Sequence, residues 1–304
     1  MRSLRRLAFV TAAFAYALIV LGAVVRVTGS GLGCGDQWPL CQGRLIPPLT
    51  DLPTVIEWSH RLVAAGVSVL VVALAALAFA KRREPGVASP GGPLRPALLA
   101  VGLLILQVLL GAVTVWLALP PPVITVHLAT ALALLAVVLV VAYRAGEAEG
   151  QPATPAASRA TGAALVLLGL VLLLGGLTAS TGAGFACLGF PLCSGQLWPR
   201  GGLPQIQWIH RLAGFALVLH LIGMGLTFRR RGEPAAVQRL AWTAAGVGVL
   251  QVVVAAVMVT HMLPTAWRAL HAAVGAALWV VLVWLGARTA PEGARQGAPR
   301  EAAA

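Results

Sequence analysis

The chain has 304 residues, 59% of them hydrophobic and only 10% charged, with a mean hydropathy of +0.88. So few polar residues cannot coat a soluble domain of this length, which excludes an ordinary water-soluble enzyme. The formal charge of +13 does not mark a nucleic-acid binder, because the basic residues are sorted by position along the chain.

Apolar stretches at about 7–27, 58–80, 98–119, 124–143, 161–181, 206–228, 240–261 and 267–287 are each near the ~20 residues that cross a bilayer as a helix. None alternates in polarity, so a membrane barrel is excluded and helices are required. The first stretch follows Arg2, Arg5 and Arg6 as a signal peptide would. Its apolar run, Leu7 to Val25, is longer than the ~7–15 residues of a signal core, and a counterpart exists at 161–181. Apart from Arg26, Arg44, Arg61, Arg200, Arg211 and Arg268, every Lys and Arg lies at one of five places. These are the N-terminus, the 81–95, 144–159 and 229–239 loops, and the C-terminal tail. With eight alternating spans all five lie on one side, and the positive-inside rule places both termini in the cytoplasm. The expected fold is an all-α integral membrane protein. Its eight transmembrane helices form two tandem four-helix bundles related by pseudo-twofold symmetry, at 1–145 and 161–288. A cytoplasmic linker (146–160) joins them and a cytoplasmic tail (289–304) follows.

The tandem arrangement rests on an internal repeat. "TGSGLGC" (Thr28–Cys34) is answered by "TGAGFAC" (Thr181–Cys187), and "EWSHRLVAAG" (Glu57–Gly66) by "QWIHRLAGFA" (Gln207–Ala216). "LQVLLGAVTV" (Leu106–Val115) is answered by "LQVVVAAVMV" (Leu250–Val259), and "VHLATAL" (Val126–Leu132) by "LHAAVGA" (Leu270–Ala276). Four spans per half preserve orientation, so the repeat is parallel, about an axis along the membrane normal.

Each half carries two histidines at its outer rim, His60 with His127 and His210 with His271. Ionisable residues in spans face the bundle interior and mark function, and cofactor ligands of bundles sit on facing helices. Zinc requires three or four close Cys, His or carboxylate ligands. Two imidazoles flanked by Gly, Ala, Val and Leu suit haem iron instead. His220 and His261 have Leu70 and Leu117 as repeat counterparts and read as structural or interfacial. Arg61, Arg211 and Arg26 stand near these pairs, where a guanidinium pairs with a propionate or simply snorkels to the interface. Cys34, Cys41, Cys187 and Cys193 lie in the outer loops. They allow three pairings, of which local pairing within each loop fits the repeat; each pair is either a staple or redox-active. Glu57, one of three acids on the outer side with Asp36 and Asp51, is the point where the repeated phrase disagrees, with Gln207 opposite. Three residues before His60, it shares that histidine's helical face. Thr54-x-x-Glu57 also spells a capping box, which offers a purely structural reading.

"RVTGSGL", "EWSHR", "QWIHR", the loop cysteines and the later histidines, in order and in duplicate over roughly 7–287, resemble the haem A synthase family. The match is to the bacterial form with cysteine pairs in its outer loops. The resemblance implies an oxidoreductase that converts haem O to haem A, oxidising a porphyrin methyl to a formyl group for cytochrome oxidase. It implies His60 and His127 as axial ligands of substrate haem, His210 and His271 as ligands of a resident haem b, and Glu57 as the catalytic acid. It also implies the disulfide Cys34–Cys41, with Cys187–Cys193 as its counterpart. Implied partners are the lipid bilayer of the inner cell membrane, haem O synthase upstream and cytochrome oxidase assembly downstream, with no nucleic acid; the electron acceptor and any homo-oligomer stay open. Two other classes fit the residues alone: a bis-histidine diheme electron carrier, and a membrane thiol-disulfide oxidoreductase. The second lacks the close Cys-x-x-Cys spacing of reactive pairs.

Overall fold

The computed structural model describes residues 1–146 and 151–291. Among them are eight long α-helices and no strand: α1 (Arg2–Val27), α2 (Leu52–Ala80), α3 (Leu94–Trp116), α4 (Pro121–Arg144), α5 (Pro155–Thr181), α6 (Gly202–Arg230), α7 (Ala235–Thr260) and α8 (Thr265–Thr289). All eight are long and apolar enough to cross a membrane. The protein is a multi-pass membrane protein.

The helices exceed the apolar stretches at their ends, because hydropathy marks the lipid-facing centre while the terminal turns carry caps. Helix α2 begins six residues before the apolar run at 58: Asp51 is its N-cap and accepts the Thr54 N–H at 3.0 Å. Thr54 therefore lies inside the helix, and the Thr54–Glu57 capping box does not form. Helix α5 likewise starts at Pro155, with the Thr154 hydroxyl capping Ala157 N–H, so the second part of the expected 146–160 linker is helical. Prolines in the first turn of α2, α4 and α5 lack the N–H that would have no partner there. Of the expected 289–304 tail, residues 292–304 lie outside the described residues, as do 147–150 of the linker.

In the first half α1 packs on α2 and α4, and α3 packs on α2 and α4. In the second, α5 packs on α6 and α8, and α7 on α6 and α8. Each set encloses its own apolar core, around Leu74, Leu135 and Val138 in one and Leu168, Leu221 and Leu282 in the other. Between the sets, α1 meets α8 and α4 meets both α5 and α8. Tyr16 donates to the Ala273 carbonyl at 3.1 Å, and Trp279 Nε1 to the Leu132 carbonyl at 3.0 Å.

The buried residues of α1 are Leu4, Ala8, Thr11, Ala12 and Ala15, all towards the basic, N-terminal end. From 18 to 27 every α1 residue is half-buried. The first buried residue of α4 is Leu132, beyond His127. A helix packed on one side has closed and open faces in alternation. A uniformly half-buried stretch means that no face of α1 is closed by protein over these residues.

Candidate functional site at the outer rim

His210 of α6 and His271 of α8 face each other with ring centroids 6.3 Å apart and planes at 79°. An imidazole nitrogen stands about 2 Å from a first-row metal, and a ring centroid lies on the order of 1 Å behind it. Two imidazoles sharing one metal are thus separated by roughly 6 Å between centroids, which this pair satisfies. Room for the rings comes from glycine. A Cβ on Gly175 of α5 would lie 3.0 Å from His210 Cε1, and one on Gly22 of α1 would lie 3.3 Å from His60 Cε1. Gly22 and Gly175 occupy equivalent places in the repeat. A Cβ on Gly111 of α3 would meet His127 Cε1 at 3.4 Å. Nδ1 of His60 and of His127 is buried with no hydrogen-bond partner among the described residues, so neither ring is tied to the protein through that nitrogen. No cluster of three or more His, Cys, Asp or Glu suited to a metal ion occurs among the described residues. Paired imidazoles beside unclosed apolar faces fit haem.

His220 and His261 stand elsewhere. His220 Nε2 bonds the Ala160 carbonyl at 3.0 Å, tying α6 to α5. His261 caps α7, its Nδ1 2.9 Å from the Val257 carbonyl.

The loops between α1 and α2 and between α5 and α6 hold two disulfides, Cys34–Cys41 and Cys187–Cys193, all four cysteines being buried. An arginine from the second helix of each half grips its loop. Arg61 Nη1 donates to the carbonyls of Gln37 and Leu40, both at 2.8 Å. Arg211 Nη1 donates to those of Gly189 and Leu192 at 2.8 and 2.9 Å, and its Nη2 to that of Cys187 at 2.6 Å. Arg211 thus commits Nη1 and Nη2 to its loop, whereas Arg61 divides its donors, Nη1 to the loop and Nε with Nη2 to Glu57. Arg26 reaches from α1 to the second half, where its Nη2 donates to the Ala179 and Ser180 carbonyls at 3.2 and 2.9 Å.

Glu57 is 4% exposed, and both of its oxygens are engaged. Oε1 accepts Arg61 Nη2 at 2.6 Å and Nε at 3.2 Å, and Oε2 accepts the Cys34 N–H at 2.8 Å. The carboxylate thus connects the helix carrying His60 to the disulfide loop. Opposite it, Gln207 is equally buried, and its Oε1 has no hydrogen-bond partner among the described residues.

Two features escape a motif-based reading. The first is Gly33, where a Cβ would meet the Pro53 carbonyl and Thr54 N at 2.4–2.6 Å; the loop must lie against the start of α2 for Cys34 to reach Glu57. The aligned heptapeptides carried that signal, since Ala186 stands at this place in the second half. The second is a glutamine twenty residues before each later histidine. Gln107 Nε2 lies 3.2 Å from His127 Nε2, and Gln251 Nε2 lies 2.9 Å from the His271 carbonyl. Both glutamines belong to the repeated "LQV" stretches.

Residues 5–283 match the family described as cytochrome oxidase assembly protein. Among curated relatives, the Heme A synthase of Bacillus licheniformis is 31% identical, over 76% of this chain and 77% of its own. That of Halalkalibacterium halodurans is 33% identical over 80% and 81%, and that of Symbiobacterium thermophilum 30% identical over 96% and 97%. The chain therefore belongs to the COX15-CtaA family of cytochrome oxidase assembly proteins.

Proposed function

We propose that this protein is a haem A synthase of the inner cell membrane, with both termini cytoplasmic, oxidising a methyl of haem O to the formyl of haem A. The observation that carries this reading is the duplicated histidine pair with a buried carboxylate beside one pair only. Residues 1–145 hold the substrate haem between His60 and His127. Residues 161–288, related to them by a pseudo-twofold axis, hold haem b between His210 and His271. Held by those two histidines, haem b would supply one-electron transfer. Written with water as the oxygen donor, each of two hydroxylations at the methyl carbon would release two protons and two electrons, the electrons leaving through the second half to an external acceptor, and the resulting geminal diol would lose water to give the formyl group.

Glu57 accepts protons released at that carbon, directly or through one water, and Arg61 balances its charge at the membrane rim. Arg61 and Arg211 hold the disulfide loops over the histidines, and Arg26 fastens the two halves at the rim. Gln207 cannot titrate in this range, which suits a half that only relays electrons. Haem O synthase supplies the substrate and cytochrome oxidase assembly receives the product.

Extraction of pigments from the purified protein tests the reading. Haem O or haem A beside haem B is the expected result. Haem B alone would indicate an electron carrier, and no haem a thiol enzyme.

A further inference from the structure

The two halves hold their later histidines differently. In the second half Gln251 Nε2 lies 3.1 and 3.2 Å from the two ring nitrogens of His271 but closer, at 2.9 Å, to its backbone carbonyl. Gln251 Oε1 is buried with no hydrogen-bond partner among the described residues. The glutamine lies along α8, where Gly275 leaves room: a Cβ there would stand 3.3 Å from Gln251 Nε2. Its amide is shared between that carbonyl and both ring nitrogens, and no second contact fixes its oxygen.

In the first half the equivalents of Val274 and Gly275 are Thr130 and Ala131. The Thr130 hydroxyl donates to Gln107 Oε1, which holds the amide at His127, with Gln107 Nε2 3.2 Å from His127 Nε2. The amide caps that nitrogen whichever way it is turned. With its NH2 towards the ring it donates to the Nε2 lone pair; with its oxygen towards the ring it accepts an Nε2–H, which has no lone pair to give a metal. Hydrogen bond and metal bond compete for one atom, and a ring that leaves a metal finds a partner waiting.

We propose that His127, rather than His60, is the histidine of the first half that gives up its metal, with Gln107, clamped by Thr130, as the positioning residue that receives it. This rests on the reading of the first half as the haem O site and deepens it, because a substrate iron with two permanent ligands has no position free. Nothing equivalent to this clamp holds His271, so ligation in the second half is permanent.

The test is uptake of carbon monoxide by the reduced, haem-loaded protein, together with its low-spin signal. Carbon monoxide binds a two-histidine iron only after one ligand leaves. Gln107→Leu should raise the low-spin share of haem O and slow the uptake by roughly threefold to tenfold, the worth of one hydrogen bond. Thr130→Val, which copies the second half, should act in the same direction by less. His127→Ala should keep haem O and take up carbon monoxide fastest, whereas His60→Ala should release haem O. Unchanged uptake in Gln107→Leu and Thr130→Val, loss of haem O from either, or the reverse pattern in the two histidine variants would overturn the proposal. Wild-type protein without haem O or haem A would instead overturn the reading of the first half itself.

Discussion

Glu57 owes its place to a glycine. Cys34 N–H reaches Glu57 Oε2 at 2.8 Å because Gly33 passes against the backbone of Pro53 and Thr54, where no Cβ fits. Gly33→Ala, which copies Ala186 of the other half, must push the loop away from α2. The expected cost is that of overpacking, about 1–3 kcal/mol, with haem A yield falling while the haem held by His210 and His271 stays. Thermal unfolding and pigment extraction measure the two effects separately. Normal yield with unchanged stability would mean that the loop has another way to settle. At this scale the sequence was legible where residue type is itself unusual: four rim histidines, and an acid that the repeat matches with an amide, stand out without a structure. What Arg61 and Arg211 touch was not legible, because the carbonyls they grip belong to loops with no periodic pattern, and a carbonyl leaves no trace in residue identity.

Helices α6 and α8 bring the rings of His210 and His271 together, whereas His220, further along α6, bonds the Ala160 carbonyl of α5. Replacing His210 or His271 with Ala should abolish the low-spin spectrum of the second half. His220→Ala should leave that spectrum intact and cost about 1 kcal/mol of stability through the lost bond to Ala160. A spectrum surviving both ligand variants would move the haem elsewhere. The start of α2 is set by Asp51, outside the span, whose carboxyl is held below the usual carboxylate range by the Thr54 backbone N–H. A depressed folded value contributes stability above the unfolded value and loses it as pH falls through the folded one. Acidification should therefore fray the first turn of α2, seen as faster amide exchange at Thr54, and Asp51→Asn should flatten that dependence. Spans were legible to within a turn or two because length and apolarity define them. Their true ends were not, since caps such as Asp51 and Thr154 lie in polar sequence.

At the scale of the whole molecule, two sets of four helices, each with its own core, meet along α1, α4, α5 and α8. The internal repeat is what leads one to expect two such sets. The surface between them was not legible, because membrane helices meet other helices and lipid with equally apolar residues. The orientation proposed from the basic loops is tested by reporters: one fused after Ala88 should be cytoplasmic, and one within 42–52 should be external. The opposite labelling would reverse the placement of both disulfides and both histidine pairs.

The central claim is that the first half carries out the oxidation and Glu57 takes part in it. Haem analysis of purified Glu57→Gln protein beside wild type tests this most directly. The second half already contains this arrangement, with Gln207 four residues before an arginine that grips its loop, so the variant should fold. It should keep the low-spin haem at His210 and His271, accumulate haem O or a partly oxidised intermediate, and lower haem A output by roughly a hundredfold or more. Near-normal haem A at equal protein level would contradict the catalytic role and leave Glu57 only as the partner of Arg61 and Cys34.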